Sequence, residues 1–225
     1  VLLPKTHFYI EAGGQVSDTG TIEGKDWQIR ITEMRKPSAG IITHVGQVVS
    51  GNPKVGDAAN VKIDAVRRKD IMRNHTATHL LHYALDEVLG SHARQAGSLV
   101  APDRLRFDFT HPEALTPEEL EQIESIVNQR VLEDHPLHIQ HKPLQQAIDD
   151  GARALFGEKY EETVRNITIG EDFGDAPFSN ELCGGTHCQR TGEIGTFIIT
   201  SEGSAAAGIR RIEAVTGRQA YALIQ

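Results

Sequence analysis

The sequence predicts an α+β chain, in which an all-β N-terminal piece precedes a mixed piece built on an antiparallel sheet. Three observations carry this. Residues 1–66 hold short β-branched or alternating runs separated by Gly, Asn and Asp turns, with no helical period of useful length. The texture changes at Arg67-Arg68-Lys69, after which apolar residues recur at helical spacing as far as Leu89. From there to the end, strand-like segments are interrupted by two further helical ones, without repeats or low-complexity tracts.

The elements follow in order. The first residues are expected to form a strand, and Gly13-Gly14 and Asp18-Thr19-Gly20 to turn the chain. Trp27 to Ile31 alternates apolar and polar, and Gly40 to Val49 is rich in Ile, Val and Thr. Asn52-Pro53 and Gly56-Asp57 mark a turn before Val61, Ile63 and Ala65 at period two. Many short strands joined by regular turns suggest a small sandwich or barrel. Ile71 to Leu89 is predicted helical with Gly90 as its stop. Leu99 to Phe109 reads as a hairpin about Pro102-Asp103. Thr116-Pro117-Glu118-Glu119 combines an N-cap, a first-turn proline and first-turn acids, and opens a helix to about Glu133. Leu137 to His141 is a short strand and Pro143 to Gly151 a short helix. Val164 to Ile169, Glu193 to Thr200 and Ile209 to Val215 are strands, and Asp172 to Asn180 is a loop insertion.

Composition bounds the function. The chain has 225 residues, of which 39% are hydrophobic and only 5% aromatic, so its core is built from aliphatic residues more than rings. That excludes disorder, collagen-like repeats and a disulfide scaffold. With 23 basic and 31 acidic residues the formal charge is −8, which argues against holding nucleic acid by bulk charge alone. The two cysteines, Cys183 and Cys188, suit an intracellular, reduced protein with thiols free for metal or catalysis. No apolar run approaches the ~18 residues of a membrane span. Lys5 and His7 interrupt the apolar start, so no signal peptide is expected. Because it starts at Val1, the chain is expected to be a piece of a longer protein or a processed product.

Two segments carry chemistry. In His75-Thr76-Ala77-Thr78-His79 the histidines share one helical face, so both imidazoles can meet one ion or can simply be polar residues of an amphipathic helix. A zinc peptidase would need Glu directly after the first His, where this chain has Thr76. In Cys183-Gly184-Gly185-Thr186-His187 two glycines let the chain fold back so that thiol and imidazole can point at one centre; the alternative is a surface loop with a free Cys. Thiolate and imidazole donors together suit tetrahedral zinc.

With His82 and Glu181-Leu182 added, these segments resemble the editing domain of alanyl-tRNA synthetase and its free-standing, AlaX-type relatives. Further segments agree: Phe8-Tyr9 with Gly13-Gly14-Gln15 and Asp18-Thr19-Gly20, Arg94 to Ser98, Leu105 to Phe109, and Gly151-Ala152. So do Phe156 to Tyr160, Thr191 to Gly195 and Ala207 to Glu213. The likeness covers almost the whole chain but not the aminoacylation domain or the family's C-terminal domain. Two departures stand out: Ala12 where the family often has Ser, and Cys188 where it often has Val. The Cys188 thiol is expected to pack inward.

The resemblance implies a small glycine-rich β-barrel over residues 1–66 and a zinc-binding, two-layer α/β editing unit with an antiparallel sheet over 67–225. It implies zinc held by His75, His79, Cys183 and His187, and catalysis by these four with Gln95. It places the amino acid of the substrate against Gln95; by their position, Arg73 and Asn74 just before the first histidine are expected at the acceptor end, and Gly184 and Gly185 against the substrate as well. The implied reaction is hydrolysis of the ester of mischarged Ser-tRNA(Ala) and Gly-tRNA(Ala). The implied partners are the 3′ acceptor end of tRNA(Ala) and the other synthetase domains, in the cytoplasm and away from membranes. Gln95 would bind the serine hydroxyl as a filter. Whether the metal or the terminal ribose hydroxyl activates water stays open, as does the use of the Gly184-Gly185 amides for an oxyanion or a phosphate. Arg67, Arg68, Lys69 and Arg73 form a basic cluster that either meets acceptor-stem phosphates or is a solvated helix start. His82 is expected beside the ligands or in the core. The rival readings are a free-standing trans-editing deacylase and a non-catalytic, zinc-stabilised tRNA-binding module.

Overall fold

The structure, a computed structural model, describes residues 1–38, 40–154, 160–170 and 177–225. Phe156 to Lys159, and Asp172 to Ala176 of the expected insertion, lie outside the described residues. Among the described residues the fold is α+β with three antiparallel sheets.

The first sheet holds β1 (Gly20–Glu23), β2 (Gln28–Ser38), β3 (Ile41–Ser50) and β4 (Asn60–Ile63) in the order β3-β2-β1-β4. Among the described residues β3 and β4 pair with one neighbour each, so the sheet is open and the expected closed barrel is not formed. The outer strands are mismatched: β4 has four residues against ten in β3, too short an edge for the other to close on. Ile29, Ile31 and Met34 face one side, with Phe8 and Ile22. Ile31 and Met34 are three apart, and both face inward because a bulge between Ile31 and Glu33 resets the alternation. Residues 1–10 form no strand, and Ala65 opens a helix instead of continuing the period-two run.

That helix, α1 (Ala65–Leu89), starts earlier than its apolar period suggests, because the Asp64 side chain caps it by accepting from the Arg67 N–H. It ends at Gly90, whose φ of 97° suits glycine. Every residue from Asn74 to His82 is buried, so this stretch is enclosed on all sides and its polar groups need internal partners.

The second sheet orders β10 (Phe197–Ala206), β11 (Ile209–Thr216), β6 (Leu105–Thr110) and β5 (Gln95–Val100). One face packs on α1 and on α2 (Pro117–Leu132), giving the two-layer arrangement. The α2 start is a full capping box: Thr116 accepts from the Glu119 N–H, and Glu119 accepts from the Thr116 N–H. Leu80, Leu81, Leu85, Phe107, Phe109, Ile123 and Phe197 are fully buried between the layers, each worth roughly 1.5–3 kcal/mol. The expected strand at Glu193 begins later, because Thr191–Ile194 forms a 3₁₀ turn before β10.

The third sheet, β7 (Leu137–Pro143), β8 (Thr163–Ile169) and β9 (Ser179–Leu182), carries the Cys-Gly-Gly segment. The short helix α3 (Leu144–Asp149) follows β7, and α4 (Gly217–Ile224) closes the chain. Neither β9 nor α4 has a sequence signal of its own: β9 is set by pairing with β8, and α4 by docking Ala220 beside β11.

Candidate metal centre and its cleft

His75 and His79 project from successive turns of α1, while Cys183 and His187 come from the loop that follows β9. One ligand atom from each of the four lies within 4.8 Å of all the others. The Cys183 Sγ stands 3.3 Å from His75 Nε2 and 3.3 Å from His187 Nε2. Tetrahedral zinc with Zn–N and Zn–S bonds of about 2.0–2.3 Å would set its donors roughly 3.5 Å apart. One thiolate and three imidazoles in this geometry fit a borderline-soft divalent ion, and these four residues could hold it.

Each imidazole has a partner near its Nδ1, within hydrogen-bond geometry for His75 and His187 and as an ion-pair contact alone for His79. The His75 Nδ1 lies 2.7 Å from Gln15 Oε1. The His79 Nδ1 makes an ion-pair contact of 2.9 Å with Glu181 Oε2, and His82 Nδ1 stands 2.9 Å from Glu181 Oε1. The His187 Nδ1 lies 3.3 Å from the Thr76 hydroxyl, which also accepts from the Cys188 N–H. All three Nε2 atoms are thus left for the centre, and outer partners of this kind orient metal ligands. Arg165 fixes the loop by donating to the carbonyls of Cys183 and Gly185 at 2.8 and 2.7 Å. A Cβ at Gly185 would come within 1.9 Å of the His75 ring, so only glycine permits this approach, whereas a Cβ at Gly184 would meet nothing within 4 Å.

The electrostatics differ among Cys183, His79 and His187. Burial opposes ionisation of the Cys183 thiol, but His75 and His187 outweigh it and hold the thiol well below its usual range. Burial likewise penalises His79 as a cation, yet the Glu181 carboxylate raises it to about 10. His187 is pushed down to about 3 by burial and by the neighbouring His75. Cys188 behaves differently: it lies in the main core, burial raises it to about 11, and its thiol is outside the cluster, as its inward packing requires.

Beside the cluster is a cleft of about 200 Å³, lined by Tyr9, Gln95, Ser98, Tyr160 and Gly184 together with His75, His79 and Cys183. Gln95 enters from the start of β5 and donates to Ser98 Oγ at 3.3 Å. Gly184 borders the cleft with open space, while Gly185 is packed under His75. Asn74 is not among the residues lining this cleft: it is buried, donates to the Ala101 carbonyl and accepts from the Thr216 hydroxyl. Arg73 turns away too, donating to the Glu193 carbonyl and pairing with Asp70. In this fold both side chains help to anchor α1. Arg68 pairs with the buried Asp18, and Arg67 donates to the Ser17 carbonyl, so this part of the basic cluster ties α1 to the glycine-rich segment.

Sequence reasoning missed Gln15, Thr76 and Arg165 as supports of the site. Gln15 and Thr76 lie within motifs of the sequence, but their partners are up to 171 residues away, and no local pattern marks Arg165. Glu181 was visible beside Cys183, but its orienting role emerges only once β9 is paired.

Two family models match. Residues 164–213 match the threonyl and alanyl tRNA synthetase second additional domain. Residues 1–67 match the class II (A) tRNA synthetases. The chain is 53% identical over 220 residues to alanine–tRNA ligase of Thermus thermophilus, covering 98% of this chain and 25% of that protein. It is 51% identical over 231 residues to the enzyme of Chloroflexus aurantiacus, covering all of this chain and 26% of the relative. For Roseiflexus sp. the figures are 52% over 240 residues, with the same coverage. The chain spans about a quarter of the length of the relatives it matches.

Proposed function

The chain belongs to the alanyl-tRNA synthetase editing-domain family, and on that premise we propose that it is a zinc-dependent deacylase of mischarged tRNA(Ala). Its substrates are Ser-tRNA(Ala) and Gly-tRNA(Ala), and water replaces the 3′ ribose oxygen on the acyl carbon. The observation that carries this reading is the juxtaposition of the four-donor cluster with a cleft into which Gln95 faces.

The need for such a reaction is physical. A synthetic pocket shaped for alanine cannot strongly reject a side chain that merely adds a hydroxyl. A second site can bind that hydroxyl with a polar group, and alanine then leaves the group unpaired at a cost of ~1–3 kcal/mol. Gln95 is that group, with Ser98 holding its amide. His75, His79, Cys183 and His187 hold the zinc, which when bound supplies charge stabilisation or an activated water. Glu181 is not the general base, since both of its oxygens stand against His79 and His82. Gly184 leaves the cleft open for the acceptor end.

Residues 1–66 and 67–225 act as two units joined through Arg67 and Arg68, with the rest of a cytoplasmic synthetase gripping the tRNA body. Incubating the purified, zinc-loaded chain with Ser-tRNA(Ala) tests the proposal. Release of serine above the buffer rate is expected, and zinc-loaded protein without turnover would leave only a tRNA-binding module.

A further inference from the structure

The glycine-rich segment approaches the metal cluster through one side chain. Gln15 is completely buried, although it lies 60 residues before the first ligand. Its backbone is clipped in place on both sides. The Gln15 N–H donates to the Ala12 carbonyl at 3.0 Å, the Val16 N–H to the Val100 carbonyl at 3.0 Å, and the Val100 N–H to the Gly14 carbonyl at 2.8 Å. Gly14 sits at a φ of +82°, and a Cβ there would meet the Ser98 carbonyl at 2.6 Å, so the turn that aims Gln15 is restricted to glycine.

From this fixed base the amide meets both ligand-bearing elements. Its Oε1 accepts from His75 Nδ1 at 2.7 Å, on α1, and from the Thr186 N–H at 2.9 Å, in the loop between Cys183 and His187. Its Nε2 donates to the Thr186 hydroxyl at 2.9 Å. One acceptor oxygen therefore selects the His75 tautomer with its proton on Nδ1, which leaves Nε2 as the lone-pair donor. The same oxygen sets the spacing between His75 and the loop that supplies the other two ligands. We propose that Gln15 is a positioning residue of the metal centre, through which the N-terminal β unit sets the geometry and strength of metal binding. This rests on the reading of His75, His79, Cys183 and His187 as a zinc site.

Two variants of the whole chain separate positioning from packing. Gln15→Met keeps the volume and removes every polar contact. Gln15→Glu restores the acceptor for His75 Nδ1 and Thr186 N–H, and lets the Thr186 hydroxyl donate in turn. Zinc affinity is read by competition with a chromophoric chelator, and folding by circular dichroism. Loss of an outer-shell partner weakens metal binding by about 10–100-fold, and this is expected of Gln15→Met. Gln15→Glu is expected to bind zinc at least as tightly as the unmodified chain, because a carboxylate partner makes the imidazole a stronger donor. A packing role predicts the reverse order, since the buried charge disrupts and the methionine does not. Unchanged affinity in a folded Gln15→Met protein overturns the proposal. If that variant fails to fold, a tenfold loss in Gln15→Glu does so instead. Failure of the unmodified chain to bind zinc would overturn the zinc reading itself, a distinguishable outcome.

Discussion

Adjacent glycines in the metal loop have opposite predicted tolerances. At Gly185 an added Cβ lands 1.9 Å from His75 Cε1, 2.3 Å from Nδ1 and 2.9 Å from Gln15 Oε1. Ordinary contact needs about 3.5 Å, so the ring or the loop must move by about 1.5 Å. Zinc sites tolerate ligand displacements of only about 0.2 Å. Neither neighbour yields easily, because His75 sits on a fully buried stretch of α1 and Arg165 grips the Gly185 carbonyl. Gly185→Ala would therefore displace His75 from the four-residue cluster or break its contact with Gln15. Zinc affinity should fall by on the order of 100-fold. Gly184→Ala meets no atom within 4 Å, and its zinc affinity should stay within about two- to threefold. Chelator competition on both variants, with circular dichroism as the folding control, makes the comparison. Equal affinities for the two variants would refute the steric reasoning.

Three further outcomes are expected. His79→Ala should lower zinc content and abolish deacylation, while full zinc by elemental analysis would remove His79 from the ligand set. Gln95→His should fill the cleft and slow Ser-tRNA(Ala) clearance by about tenfold with zinc still bound, a difference of about 1.4 kcal/mol, whereas unchanged rates would exclude Gln95 as the filter. The chain alone should bind tRNA weakly: its formal charge is −8, and Arg68, Arg73, Arg210, Arg211 and Arg218 are paired with acidic side chains. The slope of log K against log salt should be no steeper than about −3, and a slope near −8 would mean that these pairs open onto phosphates.

What the sequence made legible follows the range of the interactions. The start of α2 was readable because Thr116, Pro117 and Glu119 form one local device. The metal-ligand candidates were readable because each pair is packed into five residues, and folding brings the two pairs together. The apolar period places the α1 start late, since Asp64 caps by a single side-chain bond that no such period reveals. Strand and turn patterns allow a small sandwich or barrel and the resemblance implies a barrel, but neither encodes whether β3 reaches β4. The nearness of Arg73 and Asn74 to His75 in sequence suggests a place at the acceptor end. A helix turns 100° per residue, however, and both face away toward Ala101, Thr216 and Glu193. Gln15 escaped notice because its importance lies in contacts across 60 and 171 residues.

The central claim is that a metal cluster and a hydroxyl-selective cleft act together on mischarged tRNA(Ala). It is tested most directly by measuring zinc stoichiometry and the deacylation rates of Ser-, Gly- and Ala-tRNA(Ala) on one preparation, before and after chelation. The account predicts one zinc per chain, with serine released above the buffer rate and glycine, which like alanine leaves the hydroxyl-binding group unpaired, released more slowly than serine. It also predicts alanine release slower than serine by at least about fivefold, from ~1 kcal/mol of unpaired polar group, and loss of all turnover on chelation. Equal rates for serine and alanine, or undiminished turnover without metal, would contradict it.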